Sequence, residues 1–593
     1  MVMMFIIRLT GVSAAAEKEF PMPETTIIKL TLTGLTAATA RTDSQLNGLT
    51  TATVAGTTSV PLILDTVLAT HLTTTINNAD YDGLIAEARQ LPATSNADRY
   101  QFVLRPWLWW LTLSSNNRVF QNLNAQEIVE KVFKDGGFTD YKFQLKRKPA
   151  KREYCLQYKE SDFNFVSRLL EQEGIFWFFT HKEGKHTLVL ADDNSACPPI
   201  PGEKKVKYQA AQNGGRETGM IRSAQLRLQA TAQGAHPGND KSEQPKQLIG
   251  ESDCPALMAG HWFTLADHDD KATNIDWLIT TVSQEYDGER YRNRFTAIPK
   301  ATPYHPPCAT PKPFMPTQTA TVVGKNGEEI WTDKLGRVKV QFPWEREGKN
   351  DEIGSCWLRV ATAWSGNGFG AQFIPRIGQE VVVSFIDGDP DKPLITGCVY
   401  NGANALPYAL PANQTQSGIK THSEQGFNEL RFDDKKDAEL LAMQAQKDFQ
   451  VTVLNDSTTI VGHDEILSVK NKRSVTVKGD QEHAIDGNET HKVKGNYTLN
   501  VDGNLTIKVS GTLTLESGKT LDIKSGAGLN ASASGSMKLD AASIASEAKS
   551  SLSQKAVTIG QEARATLTSK ASATQTVDGG GMLVIKGGLV KIN

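Results

Sequence analysis

Residues 477–516 read VKGDQEHA-IDGNETHK-VKGNYTLN-VDGNLTIK-VSGTLTLE, five octads in succession, each opening on Val or Ile with Gly third. Followed outward, the first position recurs at Val453, Val461, Val469, Val477, Ile485, Val493, Val501 and Val509, all β-branched and apolar. The third position reads Asn455, His463, Asn471, Gly479, Gly487, Gly495, Gly503 and Gly511. Gly reaches positive φ at no steric cost, and Asn and His are enriched there. The pattern predicts one β segment and one sharp turn per octad.

Strand alternation puts the first, fifth and seventh positions on one side. Around Val501 and Val509 these are Leu505, Ile507, Leu513 and Leu515, while the fourth, sixth and eighth are mostly Asn, Thr, Lys or Glu. One face is apolar and the other wet. A rung of eight residues buries too little to stand alone, so it must stack and find partners. Three chains wound about one axis would bury the inward positions and pair every strand edge. A monomeric β-solenoid of the same period is the competing reading; these turns are too simple for one chain to round three sides in eight residues. The expectation is an intertwined trimeric β-prism needle over residues 451–593, its core including Val477, Ile485, Val493, Val501, Leu505, Ile507 and Val509, and its turns at Gly479, Gly487, Gly495, Gly503 and Gly511.

Past Ser525 the strict octad fades into an Ala/Ser/Thr-rich stretch that still alternates at Met537 and Leu539. Small residues suit a narrow, continuing needle. The chain closes on MLVIKGGLVKIN, residues 582–593. Three copies of Met582, Leu583, Val584, Ile585, Leu589 and Ile592 would form a small apolar end that favours a capping partner. Further up, the fifth and seventh positions turn polar: Glu465, Arg473, Gln481, His483, Glu489 and His491. Threefold symmetry makes each residue a ring, so His483 and His491 form stacked triplets. Like charges crowded in a closed core are costly, so these imidazoles are expected to be neutral, with ordered water, or to hold an ion.

Upstream the composition changes. Residues 1–80 are rich in Thr, Ala and Leu and weakly patterned, with strand-like alternation at 27–32. Residues 81–316 read as a mixed α/β region. Helices are predicted at 124–133 and 161–173, where Ile128, Val129, Val132 and Phe133, then Phe163, Val166, Leu169 and Leu170, share a face. Ser161 is a candidate N-cap for the second. Strands are predicted at 175–179 and 186–190 around a turn, and a Pro-rich linker, 299–316, closes the region. Residues 317–402 hold short β runs at 337–342, 357–361, 380–386 and 394–400, separated by Gly, Pro and Asp, which suggests a small β-barrel. Residues 403–450 read as a connector. The fold class is therefore α+β, mostly β.

Composition narrows function. At 593 residues, 39% hydrophobic and 22% charged, the chain suits several ordinary soluble domains. A formal net charge of −2 gives nucleic-acid binding no electrostatic support. Cys155, Cys197, Cys254, Cys308, Cys356 and Cys398 are scattered without CxxC spacing, so neither a disulfide scaffold nor a structural zinc site is predicted, and a reducing compartment is expected. No apolar run is long enough for a spanning helix. The opening MVMMFIIRLTGVSAAAEKEF lacks a basic n-region and is interrupted by Arg8, which argues against a secretory signal.

Catalytic signals are weak. Gly518-Lys519-Thr520 matches the tail of a phosphate-binding loop, but Leu513 stands where the first glycine belongs. Asp387, Asp389 and Asp391 have calcium-loop spacing, but Lys392 and Cys398 stand at the sixth and twelfth positions, which favours a β-turn. HExxH and GxSxG are absent from the sequence. Trp107, Trp109, Trp110, Trp344, Trp357 and Trp364 read mostly as core or subunit-interface residues. No enzyme activity and no cofactor are expected.

The octads resemble those of the valine-glycine-repeat spike family, VgrG, of type VI secretion systems. The likeness extends upstream to LRPWLW (104–109), FQN (120–122), REY (152–154) and RLLEQEGI (168–175). It continues through DKLGRVKVQFPW (333–344), WLRVA (357–361), PRIGQEV (375–381) and GDPDKP (388–393). Residues 37–80 depart from the aromatic and acidic pattern usual there. The resemblance implies a phage-tail-hub-like base, an OB-fold barrel and a triple-stranded needle. It further implies a homotrimer seated on a hexameric Hcp tube, a PAAR-repeat protein at the tip, effector or adaptor cargo, no stable membrane anchor, and passage from the cytoplasm into a target cell or the medium. A phage or prophage baseplate spike is the alternative; an added wall-degrading domain would mark it, and residues 401–450 are too short for one. A cargo-only adaptor would not need the base.

Overall fold

The computed structural model describes residues 36–592, apart from 59–61, 65–66, 77–78, 95–96, 183, 211–217, 229–245 and 288. The alternation at 27–32 lies outside the described residues. The chain divides into two units, Met1–Asn455 and Asp456–Asn593.

The first unit opens with β1 (Thr36–Gln45), β2 (Thr51–Thr58), β3 (His71–Ile76), β4 (Ala79–Thr94) and β5 (Ala97–Arg105). In β2, with sequence TATVAGTT, every second residue is buried. Small side chains thus keep a clean period of two where hydropathy alone shows little. Next come β6 (Ser115–Asn124), α1 (Ala125–Asp135), β7 (Tyr141–Gln144), β8 (Lys151–Ser161), α2 (Asp162–Glu173), β9 (Phe176–Lys182) and β10 (Lys185–Ala191). The base closes with β11 (Lys205–Lys207), β12 (Ile221–Leu228), β13 (Lys246–Ser252), β14 (Trp262–Ala266), β15 (Asp276–Tyr286) and β16 (Tyr291–Pro299).

One large sheet runs β12-β13-β16-β15-β1-β2-β5-β4-β3, with β14 on β15 and β11 on β14. The antiparallel β1–β15 pairing, Ala40 opposite Tyr286, welds the amino-terminal strands to distant ones. Both expected helices form. Asn124 and Glu127 make a reciprocal capping box on α1. Ser161 caps α2 by accepting from Asn164 N, and Gly174 ends it at φ 70°. Their apolar faces meet Trp107, Leu111, Phe120, Trp177 and Leu188 in a single core.

The barrel is built from β17 (Gln318–Val323), β18 (Lys339–Gln341), β19 (Arg359–Val360), β20 (Glu380–Phe385) and β21 (Pro393–Val399), ordered β18-β17-β20-β21-β19. Val338 and Leu358 exchange backbone hydrogen bonds of 3.0 and 2.8 Å, which closes the sheet on itself. Its core takes in Tyr154, Leu156 and Tyr158 from β8 and Met315 from the Pro-rich segment. The Asp387–Asp391 carboxylates serve this junction. Lys312 Nζ lies 2.5 Å from Asp389 Oδ1 and 2.7 Å from Asp391 Oδ2. Asp391 Oδ1 also accepts from Leu156 N at 2.8 Å.

Residues 403–450, read from sequence as a connector, contain an antiparallel meander of β22 (Gln416–Lys420), β23 (Glu429–Asp433) and β24 (Leu440–Gln444). β22 is short and polar, Gln416, Ser417, Gly418 and Lys420 carrying almost no apolar signal, whereas β24 reads LLAMQ. In the second unit the described residues form no helix and no ladder within the chain, and they are exposed throughout. What they do show is a bend every eight residues, at 478–479, 486–487, 494–495, 502–503 and 510–511 among others.

Candidate functional site

The octads carry the surface of interest. Val477, Ile485, Val493, Val501 and Val509, at first positions, are 43–51% exposed. Leu505 and Ile507, at the fifth and seventh, are 59% and 65% exposed. Apolar residues at the other positions stand far out: Leu454, Ile460 and Ile466 are 89–97% exposed. In one chain, then, these apolar residues at the first, fifth and seventh positions are less exposed than those at the second, sixth and eighth. Polar residues follow the same rule. The side chains of Glu489 and His491, at fifth and seventh positions, are 44% and 69% exposed, against 78% and 92% for Asp464 and His463, at a fourth and a third position.

Two sequence expectations need correction. Gly479, Gly487, Gly495, Gly503 and Gly511 sit at the bends, but none has positive φ; in the second unit only Gly580 is among the left-handed residues. The chain bends at these places without left-handed backbone. The octad also does not fade after Ser525. Bends continue at 526–527 and 534–535, and on to 572–573, 580–581 and 588–589. The apolar fifth position continues as Leu505, Leu513, Leu521, Leu529, Met537, Ile544, Leu552, Ile559 and Leu567. Two spacings in this series, 537 to 544 and 552 to 559, are seven residues. A fixed frame of eight therefore loses the pattern, whereas a frame allowed one-residue slips recovers it. Leu583 rejoins sixteen residues after Leu567. The tip residues Met582, Leu583, Val584, Ile585, Leu589 and Ile592 are 53–84% exposed beyond the turn at 580–581.

The base holds a polar cluster that the sequence did not reveal. Asp82 accepts from His186 Nδ1 at 2.7 Å, His71 Nδ1 at 3.0 Å and Thr73 Oγ1 at 3.0 Å. Its own N–H donates to His181 Nδ1 at 3.1 Å. Burial alone would raise the Asp82 carboxyl, but the His186 and His71 hydrogen bonds outweigh it and hold the group well below the usual range. His71, Asp82 and His186 have the donor set of a small metal centre. The chemistry does not fit. Trp107 N–H donates to His186 Nε2 at 2.8 Å, so that nitrogen carries no proton. A cation on Nδ1 would strip the other proton and leave an imidazolate. The cluster is a hydrogen-bonded brace joining β3, β4 and β10. The sequence signal for it was two histidines in one apolar hairpin, FWFFTHKEGKHTLVL at 176–190.

Three family models match in chain order. The phage tail baseplate hub (GPD) model covers residues 45–248. The type VI secretion system/phage-baseplate injector OB domain model covers 318–400. The bacteriophage T4 gp5 C-terminal trimerisation domain model covers 417–524. Type VI secretion system spike protein VgrG1b of Pseudomonas aeruginosa is 37% identical over 455 residues, spanning 66% of this chain and 61% of that protein. VgrG1a of the same organism is 36% identical over 65% of this chain and 70% of its own length. The chain therefore spans about three-fifths of VgrG1b and more than two-thirds of VgrG1a. A solved structure, the E. coli c3393 protein, is described as a type VI secretion component similar to the T4 tail proteins gp27 and gp5. It superposes with TM-score 0.51 at 25% identity, over 62% of this chain and 97% of that one. The order of hub, barrel and octads, together with these identities, makes this chain a member of the VgrG family of type VI secretion spike proteins.

Proposed function

We propose that this chain is the trimeric spike of a type VI secretion system. It caps the Hcp tube, carries a PAAR-repeat tip with effectors or adaptors, and punctures a target cell envelope. The observation that carries the reading is the second unit, residues 456–592, which has an apolar inner stripe and no ladder of its own among the described residues. Such a stripe is stable only when other chains cover it. Three chains satisfy it, as the match to a trimerisation domain supports. In a three-chain prism the first, fifth and seventh positions form a continuous core, and every strand edge is paired. The finished needle transmits axial force because it has no free edge to peel. A Cβ on Gly479, Gly487, Gly495, Gly503 or Gly511 meets nothing within one chain, so on this reading any demand for small size at the bends comes from the neighbouring chains.

On this reading the protein acts mechanically and has no enzyme activity of its own. No described helix is long and apolar enough to cross a membrane. The proposal places assembly in the cytoplasm, followed by export. Light scattering of the full chain in native buffer tests the proposal. A mass three times that of the chain is expected, and a monomer would overturn it.

A further inference from the structure

We propose that the needle axis binds a divalent transition-metal cation at His491, with Glu489 as the carboxylate that orients each imidazole. The inference rests on the trimer reading above. Glu489 and His491 stand at the fifth and seventh positions of one octad, two residues apart, with side chains 44% and 69% exposed in one chain. His491 Nε2 lies 2.6 Å from Glu489 Oε1. A carboxylate only accepts, so Nε2 carries the proton and Nδ1 of the neutral ring keeps its lone pair.

That arrangement is the reverse of the Asp82 cluster. There a backbone N–H occupies one nitrogen of His186, and a cation on the other would force an imidazolate. Here the carboxylate takes the N–H and leaves the opposite nitrogen free to bind a metal. Hydrogen bonding of the distal N–H to a carboxylate is the usual support of a metal-bound histidine, fixing the tautomer and raising ligand basicity. Threefold symmetry brings three such Nδ1 atoms to one level of the axis. Three imidazoles form a suitable ligand set for Zn(II), Ni(II) or Co(II).

Charge and hydration point the same way. Three Glu489 carboxylates enclosed together repel one another, and a dication offsets that repulsion. On one side Tyr497, Leu499, Leu505 and Ile507 are the next inner residues, so water is excluded there. His483 is one octad away on the other side, at the same position as His491. Its inner-face neighbour is Gln481, which has no carboxylate to orient the ring. The His483 ring is therefore an internal control and not the predicted site.

The experiment uses the full chain, stripped with EDTA and titrated with Co(II). Visible d–d absorption and elemental analysis report binding, and light scattering on the same sample reports mass. One cobalt per three chains is expected. His491→Leu, which installs the residue found at Leu499, should abolish the absorption while the trimer persists. Glu489→Gln should weaken binding about tenfold to a hundredfold. His483→Leu should leave it unchanged. A trimer that takes up no cobalt overturns the site alone and leaves three Glu489–His491 hydrogen bonds on the axis. Equal cobalt in His491→Leu also overturns it. A monomeric mass overturns the spike reading, and the site with it.

Discussion

Buried imidazoles make the base sensitive to acid. His261 is 5% exposed, and burial lowers its ring to about 4, with a weak contact to Ala259 O opposing the shift. Burial, then the neighbouring His186, lowers His181 to about 3. An unfolded histidine titrates near 6.5. Between that value and the folded one, the unfolded state binds protons that the native state refuses, so stability falls as pH drops. From pH 7 to pH 5 the loss is about 2 kcal/mol for His261. His181, lowered further, adds a loss of the same sign over the same window. Asp82, held low by its hydrogen bonds, adds a further loss only once pH drops below the ordinary carboxylate range. Denaturant unfolding of the full chain, followed by tryptophan fluorescence, should show the first transition moving down between pH 7 and pH 5. His261→Phe should flatten that dependence. A transition equally stable at both pH values would refute the assignment of neutral buried rings.

The octad is the structural unit of the second half, and its period is testable by deletion. Removing residues 493–500 takes out one complete repeat and leaves every later inner residue in phase. Removing only 497–500 joins a bend to a half-length segment. The chain tolerates natural spacings of seven after Met537 and Leu552, so single-residue slips are absorbed and the cut must be larger. The first deletion should keep the trimer and its protease resistance, and the second should open a cleavage site near the new junction of Asn496 with Val501. Equal resistance of both would mean that eight residues are not the unit. Much of this was legible beforehand, because hydrophobic periodicity survives wherever side chains are large and β-branched. The valine ladder, the two capped helices and the barrel strands are such places. β2 and β22 were hidden because Ala, Thr, Gly and Ser alternate without contrast in hydropathy. The Asp82 brace was hidden because Asp82 and His186, 104 residues apart, meet only once β4 and β10 pack together. The sharp turns inferred from Gly were wrong because glycine marks a need for small size as readily as a need for positive φ.

At the scale of the whole molecule, three copies of residues 582–592 would bring an apolar segment together below the octads. Inside the needle each inner residue is covered by the repeats above and below it. Leu583 and Ile585 remain in phase with Leu567, while Met582, Leu589 and Ile592 are 77–84% exposed in one chain. Lys586 and Lys591 are the only charges among residues 582–592, so three copies form an apolar end rimmed by cations. A patch of that kind favours a protein cap over water, and on the proposed function the cap is a PAAR-repeat protein. Removing residues 581–593 leaves the octads from 453 to 580 intact, so assembly should be spared and capping lost. Co-purification of a PAAR-repeat protein with the full chain and with the truncated chain, each checked for trimeric mass by light scattering, separates the two effects. Loss of the trimer on truncation would make the end a folding element. Retained binding by a truncated trimer would place the docking surface elsewhere.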